Sequence, residues 1–155
     1  MPTVETIVVK PLALKLAWAN GKIARLELAW AGEGDRSECA SPEAGRLHAA
    51  LAAYLEGKGR VWPELPLDFS GVGAFARGVL AELAKVGYGQ CLTYGELAAR
   101  AGRPGAARAV GRVMAENPFP LVLPCHRVVG SGGKLTGFGP GLPMKKMLLE
   151  LEGVL

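Results

Sequence analysis

The most reactive side chains of the chain sit together in Leu121-Val122-Leu123-Pro124-Cys125-His126-Arg127-Val128-Val129. Aliphatic residues lead in and out, and a thiol, an imidazole and a guanidinium fill the gap. A thiolate is a strong nucleophile. A free Cys has a pKa of ~8.5, so a neighbouring base or cation is needed to raise its ionised fraction at neutral pH. His126 is adjacent. Glu152, near the end of the sequence, is an acid suited to polarise that imidazole as the third member of a Cys–His–acid relay. Side chains of adjacent residues point apart in extended backbone, so Cys125 and His126 need a turn or a bridging water, and water is the expectation. A buried Cys is often an inert small hydrophobe. The polar pair His126-Arg127 within an apolar run argues otherwise, because burying it without partners is costly.

These residues need a scaffold. The chain has 155 residues, 50% of them hydrophobic, enough for one domain or two small ones with a packed core. No apolar run approaches the ~20 residues of a membrane span, and no basic-then-apolar leader is seen, so a cytoplasmic protein is expected, or a nuclear one in a eukaryote. Cys39, Cys91 and Cys125 form no C-x-x-C pair, and only His48 and His126 could join them. Reduced thiols and no metal are expected. The net charge of +4 is unevenly placed. Residues 1–66 carry eight Lys/Arg and eight Asp/Glu, whereas residues 67–155 carry ten and six. Arg100, Arg103, Arg108 and Arg112 lie close together with no acid between them. This is a candidate phosphate-facing patch, although a solvated helix face has the same charge pattern.

The expected architecture is α+β: a small N-terminal β-sheet with a helix over residues 1–66, then a mostly helical domain over 67–155 that carries a helix-turn-helix and a buried Cys. Residues 3–31 alternate as strands, and Asn20-Gly21 marks a tight hairpin turn. Ser41-Pro42-Glu43 reads as a helix start, and Gly57 as its stop; His48 lies off that helix's apolar stripe and reads as a surface or boundary residue. A Pro-punctuated connector, Val61-Trp62-Pro63-Glu64-Leu65-Pro66, marks the domain boundary. Ser70 is read as the start of the next helix and Gly87 as its end. Thr93-Tyr94-Gly95-Glu96 fits a capping box. A short helix to Gly102 and another over about 105–116, stopped by Asn117-Pro118, give the helix-turn-helix pattern. In the second helix Val110, Val113 and Met114 form a core stripe. Ala107, Gly111 and Ala115 form a nearly bare stripe beside Arg108 and Arg112. Such a strip suits a close-lying partner, or equally a packed neighbouring helix. A last helix from Pro143 is expected to face Met144, Met147, Leu148 and Leu151 inward.

The segment Pro124-Cys125-His126-Arg127-Val128 resembles the active-site signature of the O6-alkylguanine-DNA alkyltransferases. Tyr88-Gly89, Thr93-Tyr94 and Leu97-Ala98 resemble the family's first motif helix, and Ala106-Ala107-Arg108-Ala109-Val110-Gly111 its recognition helix. Asn117-Pro118 and Leu148-Leu149-Glu150-Leu151-Glu152-Gly153 fit with compatible spacing. The resemblance is close over residues 67–155 and loose over 1–66.

The resemblance implies a monomeric, cofactor-free DNA-repair protein whose partner is double-stranded DNA carrying O6-alkylguanine. It implies that the helix-turn-helix enters the minor groove, with Thr93, Tyr94, Ala106, Ala107, Gly111 and Arg112 facing DNA. Arg108 takes the place of the flipped base, and Tyr94 presses on the phosphate. A narrow groove suits a strip of small side chains, and a lesion that weakens pairing lowers the cost of extrusion. Cys125 takes the alkyl group by a single displacement. His126 accepts the thiol proton through water, Glu152 orients the imidazole, Tyr94 donates to guanine N3, and Asn117 orders the backbone around the Cys. Carbonyls near Cys125 and Val128 receive the exocyclic amine, Phe138 is a wall of the pocket, and a backbone N–H around Gly139 faces O6. The resulting thioether offers water no acyl carbon, so the protein acts once. O4-methylthymine is a second candidate substrate.

The pattern has departures. Phe138 stands where many relatives carry Tyr, and Gly139-Pro140 where Ser and Gly occur, so the range of alkyl groups does not carry over. Zinc ligands of some relatives are absent from residues 1–66. A non-catalytic class has Trp at the nucleophile position, which here is Cys125. Two other readings compete: a lesion-sensing DNA-binding protein without transfer, and an unrelated Cys–His hydrolase.

Overall fold

The computed structural model describes residues 3–155; Met1 and Pro2 of the expected N-terminal domain lie outside the described residues. The chain divides into two compact units, Met1–Ser70 and Gly71–Leu155.

The first unit is an antiparallel meander of β1 (Val4–Val9), β2 (Leu12–Ala19) and β3 (Lys22–Trp30), followed by α1 (Pro42–Leu55). Asn20 (φ 53°) and Gly21 (φ 75°) both take the left-handed conformation that a two-residue hairpin turn requires. Ile7, Leu14 and Leu28 lie in register across the sheet, as do Glu5, Leu16 and Leu26, and all six are buried. Ser41 caps α1 by accepting from the Ala44 N–H, Pro42 occupies the first turn, and α1 buries Leu47, Leu51 and Tyr54. Trp62 of the connector lies against Tyr54, with ring centroids 5.1 Å apart. Leu67 bridges to Ile23, whose N–H donates to Pro66 O and whose carbonyl accepts from Asp68 N. These bonds carry the compact unit past Pro66, the boundary expected from the sequence.

Glu5 joins β1 to the start of α1. Its Oε1 accepts the N–H groups of Ala40 (2.6 Å) and Ser41 (2.7 Å), and its Oε2 accepts Trp18 Nε1 (2.7 Å) and the Ser41 hydroxyl (2.6 Å). Burial alone would push this carboxyl up, but the bonds from Ser41, Ala40 and Trp18 outweigh burial and hold it below its usual range. A carboxyl depressed in the folded state contributes stability above its unfolded pKa and loses that contribution as pH falls through the folded value. Glu5→Gln is therefore expected to cost about 1–3 kcal/mol at neutral pH, because an amide N–H₂ would face donors. In urea titrations the wild-type advantage should shrink only below about pH 4.5.

The second unit holds α2 (Ala74–Leu83), α3 (Tyr94–Arg100), α4 (Ala107–Ala115) and α5 (Leu142–Leu151), with β4 (Leu92–Thr93) paired parallel to β5 (Val128–Val129). The helix α2 starts at Ala74 and not at Ser70. The Ser70 N–H is held by Asp68 Oδ1 (2.9 Å) in a turn, and Gly73 takes the cap position, its carbonyl accepting from Arg77 N. It also ends before Gly87: the N–H groups of Lys85 and Val86 bond three residues back, which tightens and closes the last turn. Both bonds of the Thr93–Glu96 capping box are present at the start of α3. Gly102 (φ 78°) ends the turn after α3, and α2 packs on α3 and α4, burying Val79, Leu83, Leu97, Ala98, Val110, Val113 and Met114.

The inward face of α5 differs from expectation. It buries Met144, Lys145, Leu148 and Leu149, while Met147 and Leu151 are half-buried. The helix is rotated so that a lysine enters the core, where backbone carbonyls receive it.

Candidate active site

Between α4 and β5 the chain makes a tight, mostly buried path. Leu121, fully buried, sits at φ 75°, a left-handed conformation that disfavours a branched apolar residue. Asn117 stabilises this path from both ends of its amide: Nδ2 donates to Leu123 O (2.9 Å), and Oδ1 accepts from Phe119 N (3.0 Å). Cys125–Arg127 then form one 3₁₀ turn, not an extended segment, with Val128 N donating to Cys125 O. The turn buries Cys125, His126 and Arg127 together.

His126 and Arg127 share one charged partner, Glu152. His126 Nε2 meets Glu152 Oε2 at 2.7 Å. Arg127 donates from Nε to Glu152 Oε1 (2.8 Å), from Nη2 to Oε2 (3.1 Å) and from Nη1 to Val86 O (2.7 Å). Gly89 N adds a bond to Oε1 (3.2 Å), and the Tyr88 hydroxyl donates to Leu151 O (3.2 Å), pinning the end of α5. His126 Nδ1 is buried and makes no hydrogen bond among the described residues.

Burial pushes the Cys125 thiol above its ordinary value, and Asn117 and the Lys145 cation act against that shift. Burial likewise pushes the His126 imidazole down, against the upward pull of Glu152. The resting pair is therefore a neutral thiol beside a neutral imidazole. The sequence suggested a thiolate enriched by its neighbours; burial reverses that.

Lys145 was not singled out by the sequence. It is fully buried, and Nζ donates to Val128 O (2.6 Å), Thr136 O (2.8 Å) and Gly137 O (3.4 Å). Burial pushes its pKa down to about 8, with Cys125 pulling it up; the carbonyls favour the ammonium form. It ties β5 to the 134–141 segment and places a positive charge near the thiol. The available signal was a Lys within an apolar helix face.

The Tyr94 hydroxyl donates to Thr136 O (3.3 Å), so Tyr94 joins the same segment. Phe138 is half-buried and Gly139 exposed on it. Arg108 and Arg112 are exposed on α4, and Ala106, Ala107 and Gly111 are half-buried. A Cβ added at Gly111 would meet only Tyr94 Cδ1 at 3.9 Å, an ordinary contact. Internal packing therefore does not demand glycine there. Among the described residues no three His, Cys, Asp or Glu side chains gather to hold a metal ion, and no helix is long and apolar enough to cross a membrane.

The model of the 6-O-methylguanine DNA methyltransferase, DNA binding domain, matches residues 74–154, just over half of the chain. The chain belongs to this family. It is 47% identical over 102 residues to a methylated-DNA–protein-cysteine methyltransferase of Mycolicibacterium paratuberculosis, covering 66% of this chain and 61% of that protein. It is 39% identical over 109 residues to the protein of the same name from Haemophilus influenzae, covering 70% and 60%. The matched stretch thus spans about three-fifths of those relatives' length. Among solved structures, Mycobacterium tuberculosis OGT in complex with DNA aligns with a TM-score of 0.79 at 36% identity, covering 95% of this chain and 90% of that one. O6-methylguanine-DNA methyltransferase from Pyrococcus kodakaraensis aligns with a TM-score of 0.73 at 27% identity, covering 97% and 98%. Within this methyltransferase family frame, the turn at Cys125–Arg127, the end of α5 and the Lys145-tied segment enclose one buried thiol, with α3 and α4 in the same compact unit.

Proposed function

We propose that the protein repairs O6-alkylguanine in duplex DNA by moving the alkyl group irreversibly onto its own Cys125. The observation that carries this reading is the buried Cys125 in one turn with His126, whose imidazole is held by Glu152 and whose Nδ1 has no hydrogen-bond partner among the described residues. The thiol sulfur attacks the alkyl carbon; the C–S bond forms as the C–O6 bond breaks. The thiol proton passes to His126 Nδ1 through water, and the electron pair leaves on guanine, which takes a proton at N3 from Tyr94. Asn117 holds the backbone before the nucleophile. Carbonyls near Cys125 and Val128 receive the exocyclic amine, Phe138 forms a wall, and a backbone N–H around Gly139 serves O6. The product is a thioether with no route back to thiol, so each molecule acts once, without cofactor, as a monomer. Its place is the cytoplasm, or the nucleus of a eukaryote.

Relatives named for methylated DNA and a related OGT captured with DNA support duplex DNA as partner. Thr93, Tyr94, Ala106, Ala107, Gly111 and Arg112 form the groove-facing surface, and Arg108 fills the space of the flipped base. Arg108→Ala is therefore expected to slow repair of a duplex by about 10²-fold or more while reaction with free O6-methylguanine base stays within about twofold. Single-turnover rates on the two substrates check this. Equal losses on both would remove Arg108 from base flipping. A protein that holds the lesion duplex but stays unmodified would favour the lesion-sensing alternative.

A further inference from the structure

Arg127 takes no part in the displacement, yet it is only 4% exposed and spends its guanidinium on the acid behind the base. Its Nε and Nη2 reach both oxygens of Glu152, at 2.8 and 3.1 Å. Its Nη1 reaches Val86 O at 2.7 Å, which anchors the fork to the end of α2's last turn. With Gly89 N also on Oε1, three acceptor positions of the carboxylate are filled by donors that keep it ionised and fix its rotation. The remaining position, on Oε2, faces His126 Nε2 at 2.7 Å. An ionised carboxylate only accepts hydrogen bonds. Nε2 must then carry the imidazole proton, which leaves Nδ1 as a bare lone pair. Among the described residues that atom is buried without a hydrogen-bond partner.

We propose that Arg127 is a positioning residue for the transfer: it clamps Glu152 as a carboxylate and offsets its charge, and so sets His126 as the neutral Nε2–H tautomer with Nδ1 open to the Cys125 proton. The proposal rests on the reading of Cys125 as the alkyl acceptor.

The charges around the imidazole explain why the offset matters. Glu152 at the end of α5 favours protonation of His126; Arg127 in the same turn and Lys145 from α5 oppose it, and Cys125 is a neutral neighbour at rest. A carboxylate left uncompensated would draw a second proton onto the ring, at Nδ1, and block the base at neutral pH. Lys is no substitute for the fork, because an ammonium cannot bind both carboxylate oxygens in one plane while also holding Val86 O.

The test is the pH dependence of single-turnover methyl transfer from an O6-methylguanine duplex, over about pH 5 to 9, the window of imidazole titration. It uses the wild type, Arg127→Gln and Arg127→Lys, together with ¹⁵N shifts of the His126 ring nitrogens. In wild type the rate should hold to below the ordinary imidazole range, and the spectrum should show the Nε2–H form. Arg127→Gln should move the acid limb upward by about one pH unit. Arg127→Lys should keep the limb near its wild-type place but lower the plateau about tenfold and mix the tautomers. A limb that stays put in Arg127→Gln, with rates lowered equally at every pH, would make Arg127 merely structural and overturn the proposal. If Arg127→Gln does not fold, the spectra decide, since an Nδ1–H form in wild type, or an unchanged tautomer in Arg127→Lys, overturns it. A wild type that accepts no methyl defeats the Cys125 reading instead, and the ring-nitrogen shifts still test the clamp.

Discussion

Cys125→Ser is expected to abolish methyl transfer, lowering the single-turnover rate by more than about 10³-fold, while the protein still binds a lesion duplex. The hydroxyl is nearly isosteric with the thiol, so the 3₁₀ turn and the Asn117 bonds to Leu123 and Phe119 remain. Its proton is far harder to remove, and its oxygen is a poor nucleophile toward an alkyl carbon. Burial adds to this, because the same environment that pushes the thiol up penalises an alkoxide more. The check is a rate measurement paired with a binding isotherm at fixed salt, since phosphate contacts make affinity salt-dependent. Loss of binding along with transfer would show that the variant had failed to fold. Retained transfer would show that another side chain accepts the methyl group.

Glu152→Ala should damage both stability and chemistry. The carboxylate receives His126 and two bonds from Arg127 in the interior, and one part-buried bond from Gly89. Its removal strands a buried guanidinium. Breaking one side of such a pair costs about 3–5 kcal/mol, mostly the penalty of the uncompensated charge. Urea denaturation should show this loss. Transfer at neutral pH should fall by about 10²- to 10⁴-fold, as expected when the partner that orients a catalytic imidazole is lost. The sign of the pH effect separates the two consequences. As pH rises toward the thiol's own range, the thiol ionises without help from His126, so the kinetic deficit should narrow. A deficit constant across pH would assign the loss to misfolding alone.

How much of this was legible in the sequence depends on whether the cause is local. The Asn20-Gly21 hairpin, the Ser41 cap and the Thr93–Glu96 box are decided within four residues, and the sequence expectation matches the structure at each. The start of α2 lies beyond Ser70, which has the residue type of a cap but whose N–H goes to Asp68. The need of His126 and Arg127 for partners could be read from their apolar flanks, and Glu152 as the imidazole's acid came from the relay argument. The fork of Arg127 on that same acid joins residues 25 positions apart and its third bond, to Val86, residues 41 apart, and neither leaves a local mark. Lys145 was hidden for a similar reason. Counting apolar residues turns α5 toward Met147 and Leu151, whereas carbonyls of Val128, Thr136 and Gly137 turn it toward the lysine. Glu5 is the same case in the first unit, where a charge on a core face is satisfied by donors from the start of α1. The raised Cys125 thiol was not legible either, because burial is a property of the packed whole.

A single-use alkyl acceptor at Cys125 can be tested directly. The direct measurement is to treat the protein with increasing excesses of an O6-methylguanine duplex, digest it and map the modification by peptide mass. The expected result is one methyl-for-hydrogen mass increment on the Cys125 peptide, saturating at one per protein molecule however much substrate is added. Continued repair beyond one lesion per molecule, methyl on any other residue, or repaired DNA with an unmodified Cys125 would contradict it.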